Sequence, residues 1–110
     1  MKRALALILL LAACREDTAA LPQPVEMTAQ TVGYYCQMNV LEHPGPEGQV
    51  HLEGLPGAPL FFSQVRDVVA YKRMPEQSHT ITAIYVNDMG AAPSWDDPGA
   101  GNWVPLSDVI

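Results

Sequence analysis

Cys36 and Met38 are the residues of this chain best suited to chemistry, a thiol and a thioether two positions apart. Both are soft donors, and soft donors select Cu(I) over the hard cations that prefer carboxylate and carbonyl oxygen. On an extended strand, residues i and i+2 point the same way, so both sulfurs would lean onto one ion held between them. Structural zinc asks for four ligands, and the chain has neither a Cys-x-x-Cys nor a His-x-x-x-His pair. Taken singly, a cysteine or a methionine is more often a core filler than a ligand. The weight here comes from the surroundings, because Cys14 is the one other cysteine and it lies where a secretory leader would be cut.

Two sulfur donors leave Cu(I) room for a third ligand. Met89 is the first choice, because Asn87-Asp88-Met89-Gly90 reads as a turn and turn tips are normally polar. Packing in the core or on Trp95 is the competing fate of that methionine. His43 and His51 are the nitrogen alternatives, since they bracket the loop that follows Met38 and could fold back toward it. His79 precedes a different strand and is set aside, and Met27 and Met74 read as packing or incidental.

The N-terminus has the three parts of an export leader: Lys2-Arg3, the apolar run Ala4 to Leu11, and Leu11-Ala12-Ala13-Cys14, which resembles a lipobox. The apolar run is far short of the roughly 20 residues a spanning helix needs. Residues 1–13 are therefore read as a signal peptide and Cys14 as the lipidated first residue of the mature chain, anchored on the periplasmic side of a bacterial membrane. Arg15, not Asp, follows the cysteine, which points to the outer membrane more than the inner. Residues 14–30, with Arg15-Glu16-Asp17 and Leu21-Pro22-Gln23-Pro24, read as a flexible tether, and the folded part is expected over 31–110.

Removing the leader leaves 97 of the 110 residues, enough for one small domain. Lys2 and Arg3 leave with it, so four basic residues face twelve acidic ones and the formal charge moves from −6 to −8. A chain this acidic argues against nucleic acid and against electrostatic attachment to anionic lipid.

The elements that must position the sulfurs follow from pattern. Val32 to Val40, with its aromatics and valines, suits an extended segment that would put Cys36 and Met38 on one face. His43-Pro44-Gly45-Pro46 breaks it. Gln49 to Leu52 and Leu60-Phe61-Phe62 read as short strands, separated by the Leu55–Pro59 turn. Ser63 is the expected N-cap of a helix carrying Val65, Val68, Val69 and Lys72, with Asp67 early, Lys72 and Arg73 late, and Pro75 as the stop. Thr80 to Val86 is a strand by its β-branched residues, Pro93 to Asn102 is a loop, and Trp103-Val104 opens a last strand. Strand, strand, helix, strand gives a small α+β unit of ββαβ type, one helix on a short mixed or antiparallel sheet.

Gly33-Tyr34-Tyr35-Cys36-Gln37-Met38-Asn39-Val40-Leu41-Glu42-His43 resembles the signature of the NosL family of lipoproteins. Gln49-Val50-His51-Leu52, Phe62-Ser63-Gln64-Val65-Arg66-Asp67, Ile84-Tyr85-Val86-Asn87-Asp88-Met89-Gly90, and Ser94-Trp95 leading to Gly101-Asn102-Trp103 continue the likeness in order. The resemblance implies a Cu(I) chaperone that supplies the copper–sulfide centre of nitrous oxide reductase, in contact with that enzyme or its maturation machinery. Family members are longer, with a second ββαβ half. The resemblance thus implies that 31–110 is an incomplete NosL-like domain, and leaves open a homodimer that replaces the missing half.

Enzyme readings find little to build on. A thiol enzyme acting through Cys36 would need a base such as His43 or His51 and an orienting acid, and no recognised arrangement of these occurs. A non-metal assembly lipoprotein in which Cys36 is only packed is the other rival. The expectation is a metallochaperone and not an enzyme.

Overall fold

The structure, a computed structural model, describes residues 21–109. Cys14, the leader and the first part of the tether lie outside the described residues. The four strands are β1 (Gly48–Leu52), β2 (Leu60–Phe62), β3 (Ile81–Asn87) and β4 (Trp103–Pro105), with one helix, α1 (Val65–Arg73), between β2 and β3. All pairings are antiparallel and the sheet order is β2-β1-β3-β4. This is the expected α+β class, with the sheet antiparallel throughout. Among the described residues, no helix is long and apolar enough to cross a membrane.

Strand β1 is central, and all five of its residues are buried. Alternation along the strand sends Val50 and Leu52 to one face, where they meet Phe62 of β2 and Val68 and Tyr71 of α1 in the apolar core. Gly48 lies on the same face, and a Cβ there would collide with Val68 Cγ2. Glycine at this position lets the helix settle close to the sheet. The helix is poor in intrinsic propensity, with three valines in nine residues, so this packing is what holds it. Its amide-to-carboxyl polarity is respected by Asp67 in the first turn and Lys72 and Arg73 in the last.

Gln49 and His51 point to the opposite face with Tyr85 of β3, which pairs with Gln49. That face is covered by residues 22–27. Val25 N–H donates to Gln49 Oε1 and Gln49 Nε2 donates to Val25 O, both at 2.9 Å. Tyr85 donates its hydroxyl to Pro22 O at 2.6 Å, and Met27 is buried with its N–H on Ala100 O. The folded body therefore begins by Pro22 and not near Thr31. Part of the expected tether is thus a strap with polar partners on the sheet.

Two further expectations are corrected. Helix α1 is capped by Gln64, with φ −140° and ψ 142° and no side-chain cap bond, one residue later than expected. Ser63 is buried instead. Residues 32–40 are not a strand: the segment closes on itself through a bridge between Val32 and Asn39.

Candidate metal centre

Cys36 stands in a tight turn made by that closure. Gly33 N–H donates to Met38 O at 3.0 Å, Gln37 N–H to Gly33 O at 2.9 Å, and Val40 N–H to Thr31 O at 3.1 Å. Gln37 takes φ +58°, a left-handed conformation costly for a residue with a Cβ. Its side chain compensates, the amide donating to Tyr34 O at 2.7 Å and to Gly33 O at 3.3 Å. Asn39 fixes the far side, donating to Ala29 O at 2.6 Å and accepting from Leu41 N–H at 3.0 Å to start the turn Val40–Glu42. A strand would have offered its groups to a neighbouring strand along its length, whereas here most are spent within the turn.

The turn is tied to the body at one edge. Tyr34 N–H donates to Phe61 O on β2 at 2.7 Å. Tyr34 and Tyr35 lay their rings edge-on against Phe62, at 5.9 and 5.2 Å between centroids, and against Tyr71. Such contacts fix a loop more firmly than its own hydrogen bonds would. Burial, with Tyr34 and Asp67 adding to it, raises the Tyr35 phenol above its usual range, so the ring stays neutral.

Cys36 and Met38 line one cleft of about 180 Å³ together with Asn39, Glu42, His43 and Ser63. The two residues thus share one cleft because of a turn and not because of strand alternation. Cys36 is a free thiol, half-buried, and Met38 is 60% exposed. His43 Nδ1 lies 2.7 Å from Pro44 O. A carbonyl only accepts, so Nδ1 carries the proton in that bond and the lone pair is left on Nε2. Histidine ligands are commonly oriented through such a bond from the other ring nitrogen. Cys36, Met38 and His43 thus offer thiol, thioether and imidazole to one solvent-facing cleft, although among the described residues no three His, Cys, Asp or Glu side chains are grouped closely enough to hold a metal ion.

The other candidates lie elsewhere. Met89 is half-buried in the Asn87–Gly90 turn and lines a separate groove with Pro46, Val65, Val86 and Leu106. Trp95 sits over Gly45, accepting that residue's N–H at 2.7 Å, and is not the neighbour of Met89 in that groove. His79 is exposed, in the loop before β3. His51 is 1% exposed and on the strap-covered face, so the strand's alternation turns it away from the loop toward which it was expected to fold. Its Nε2 lies 2.6 Å from Gln49 Oε1, and burial pushes its pKa down, keeping it neutral.

Sequence reasoning missed Ser63, Asn39 and Glu42 as cleft residues, and it missed Glu47. Glu47 is 1% exposed, and neither carboxyl oxygen has a partner among the described residues. Burial above all, with a contribution from Asp97, pushes it up to about 8, while its own backbone amide offsets part of this. A glutamate between Pro46 and Gly48 reads as a solvated loop residue, and nothing in the sequence marks it otherwise.

A small antiparallel α+β unit that presents a soft-donor cleft beside its edge strand is the class of protein this describes. Comparison with known proteins narrows it. The NosL family pattern matches residues 24–110. The copper-binding lipoprotein NosL of Achromobacter cycloclastes is 62% identical over 100 residues, covering 90% of this chain and 51% of that protein. The crystal structure of the copper chaperone NosL from Shewanella denitrificans superposes with a TM-score of 0.67 at 25% identity, covering 76% of this chain and 60% of that one. The chain belongs to the NosL family, and it spans about half the length of the curated relative it matches.

Proposed function

We propose that this protein is a copper chaperone that binds one Cu(I) at the cleft beside β2 through Cys36 and Met38, with His43 Nε2 as the third donor. The observation that carries the reading is that Cys36, Met38 and His43 line one solvent-facing cleft, with His43 Nε2 left free by the Nδ1 bond to Pro44 O. The relatives support it, being named a copper-binding lipoprotein and a copper chaperone. Met89, the first choice from sequence, is displaced in favour of His43 because it lines a different groove.

The chemistry is transfer by ligand exchange. A two- or three-coordinate ion at an exposed site can accept an attacking thiolate or imidazole before it releases its own ligand, so copper moves without ever being free. Val32, Tyr34 and Tyr35, exposed in the same segment as the thiol, suit brief contact with a partner. We assign that partner as nitrous oxide reductase or its maturation machinery, and the cargo's destination as the enzyme's copper–sulfide centre. The protein acts from a lipid on Cys14, on the periplasmic side, at the outer membrane in preference to the inner.

Competition of reduced protein against a Cu(I) chelator, with X-ray absorption at the copper edge, tests the site. One Cu(I) with two sulfur scatterers and one nitrogen is the expected result. A sulfur-free shell, or no retention of copper against the chelator, refutes the assignment.

A further inference from the structure

Gly33, three residues before Cys36, is buried at the base of the turn. Glycines 45, 54, 57 and 99 have positive φ, the usual reason for glycine, but Gly33 does not share that conformation. Its backbone would accept an alanine. The space would not: a Cβ built at Gly33 falls inside the van der Waals envelope of Cys36 Sγ and stands 3.6 Å from Val40 Cγ1. The nearest heavy atom to that missing Cβ is the thiol sulfur itself.

Neither side of the collision can be relieved by moving the backbone. Gly33 N–H is bound to Met38 O, and Gly33 O takes both the backbone and the side-chain N–H of Gln37. Val40, fully buried, closes the remaining side. Cys36 Sγ lies 3.9 Å from Met38 O, a weak S–H contact that aims the sulfur along the turn toward Met38. An added methyl would therefore be accommodated by rotation of the Cys36 side chain, which carries the sulfur away from its neighbours in the cleft.

We infer that Gly33 is a positioning residue for the metal site: its missing side chain reserves the volume that the Cys36 sulfur occupies and so sets the direction from which the thiolate meets the ion. The inference rests on the copper reading above. It predicts a loss of copper affinity from a substitution that, at a permissive φ, would ordinarily do no more than stabilise the fold by restricting the unfolded chain.

The test is Gly33→Ala, measured for Cu(I) by chelator competition, for the copper coordination shell by X-ray absorption, and for thermal unfolding. Affinity should fall about 10- to 100-fold, the usual range when a ligand's supporting contacts are removed, and the sulfur count at copper should drop by one. Unfolding separates this from general damage. In a Cys36→Ala background there is no sulfur to displace, so adding Gly33→Ala should leave the midpoint unchanged or raise it. A further drop in that background would place the clash elsewhere and overturn the inference. Weak binding by Cys36→Ser together with wild-type binding and an unchanged sulfur shell in Gly33→Ala overturns the inference alone. Equal binding by Cys36→Ser and wild type overturns the copper reading and the inference with it.

Discussion

The Cys36 turn and the polar row beneath the strap both gather heteroatoms, yet they use them in opposite ways. At the turn, the backbone satisfies itself and leaves the side-chain donors of Cys36, Met38 and His43 facing solvent. Beneath the strap, Gln49 and His51 are committed to each other and to Val25, and the row is sealed from water. A ligand set for a transferable ion needs uncommitted lone pairs at a surface. A buried polar row instead spends its groups on one another; only His51 Nδ1 of this row is left without a partner among the described residues, and each such orphan costs on the order of 1–3 kcal/mol. The difference explains why two histidines only eight residues apart have unlike roles.

Variants should separate the regions cleanly. The largest effect is expected on stability, from Gln49→Leu, which strips partners from Val25 N–H, Val25 O and His51 at once. Chemical denaturation should show a loss of roughly 3 kcal/mol, with Cu(I) affinity of the folded protein unchanged. A comparable loss of affinity would mean the strap and the turn are one unit. Next, Cys36→Ser should lower Cu(I) affinity by about 100-fold, or ~2.7 kcal/mol, while the melting temperature stays near wild type.

Glu47→Gln should act on pH dependence. The folded carboxyl titrates near 8, above the ordinary 4.5, so folding favours its protonated form. That contribution is full below the unfolded value and is lost as pH rises through about 8. Wild-type stability should therefore decline across this window, and the neutral amide should flatten the decline and be the more stable form at the alkaline end. Parallel curves for the two proteins would show that Glu47 has access to a partner or to water. The smallest effect is expected from Met38→Leu, about tenfold in affinity with little change in stability, since volume is kept and the side chain is largely exposed.

Much of the fold was legible because its signals are local. A β-branched run marked Ile81–Asn87 and a short apolar run marked Leu60–Phe62 to within a residue, and the Asp67, Lys72–Arg73 and Pro75 pattern bounded the helix. The failures share a cause, which is contact between segments distant in sequence. Gly33-Tyr34-Tyr35-Cys36 has strand-like composition, but Tyr34 and Tyr35 are used to dock a turn on Phe62 and Tyr71, not to pair in a sheet. Gln49-Val50-His51-Leu52 alternates as a half-solvated strand would. Its polar side is nevertheless buried, because the segment around Val25 returns over it from 24 residues away. Cys36 and Met38 could be paired from spacing alone, although for the wrong geometric reason. His43 could be shortlisted, but its place in the same cleft and its Nδ1 bond to Pro44 O are matters of loop shape.

The strap also fixes how far the cleft can travel. With a lipid on Cys14 as proposed, a body that began at Thr31 would float on a leash of 17 residues, with a reach of about 60 Å. Holding Pro22 to Tyr85 leaves eight residues between the anchor and the first fixed point, at most about 29 Å fully extended. The proposed copper cleft can then rise above the bilayer no farther than that span plus the width of the body itself. An acceptor must come within that range, so the height of the acceptor's own copper entrance above the membrane becomes a condition for transfer.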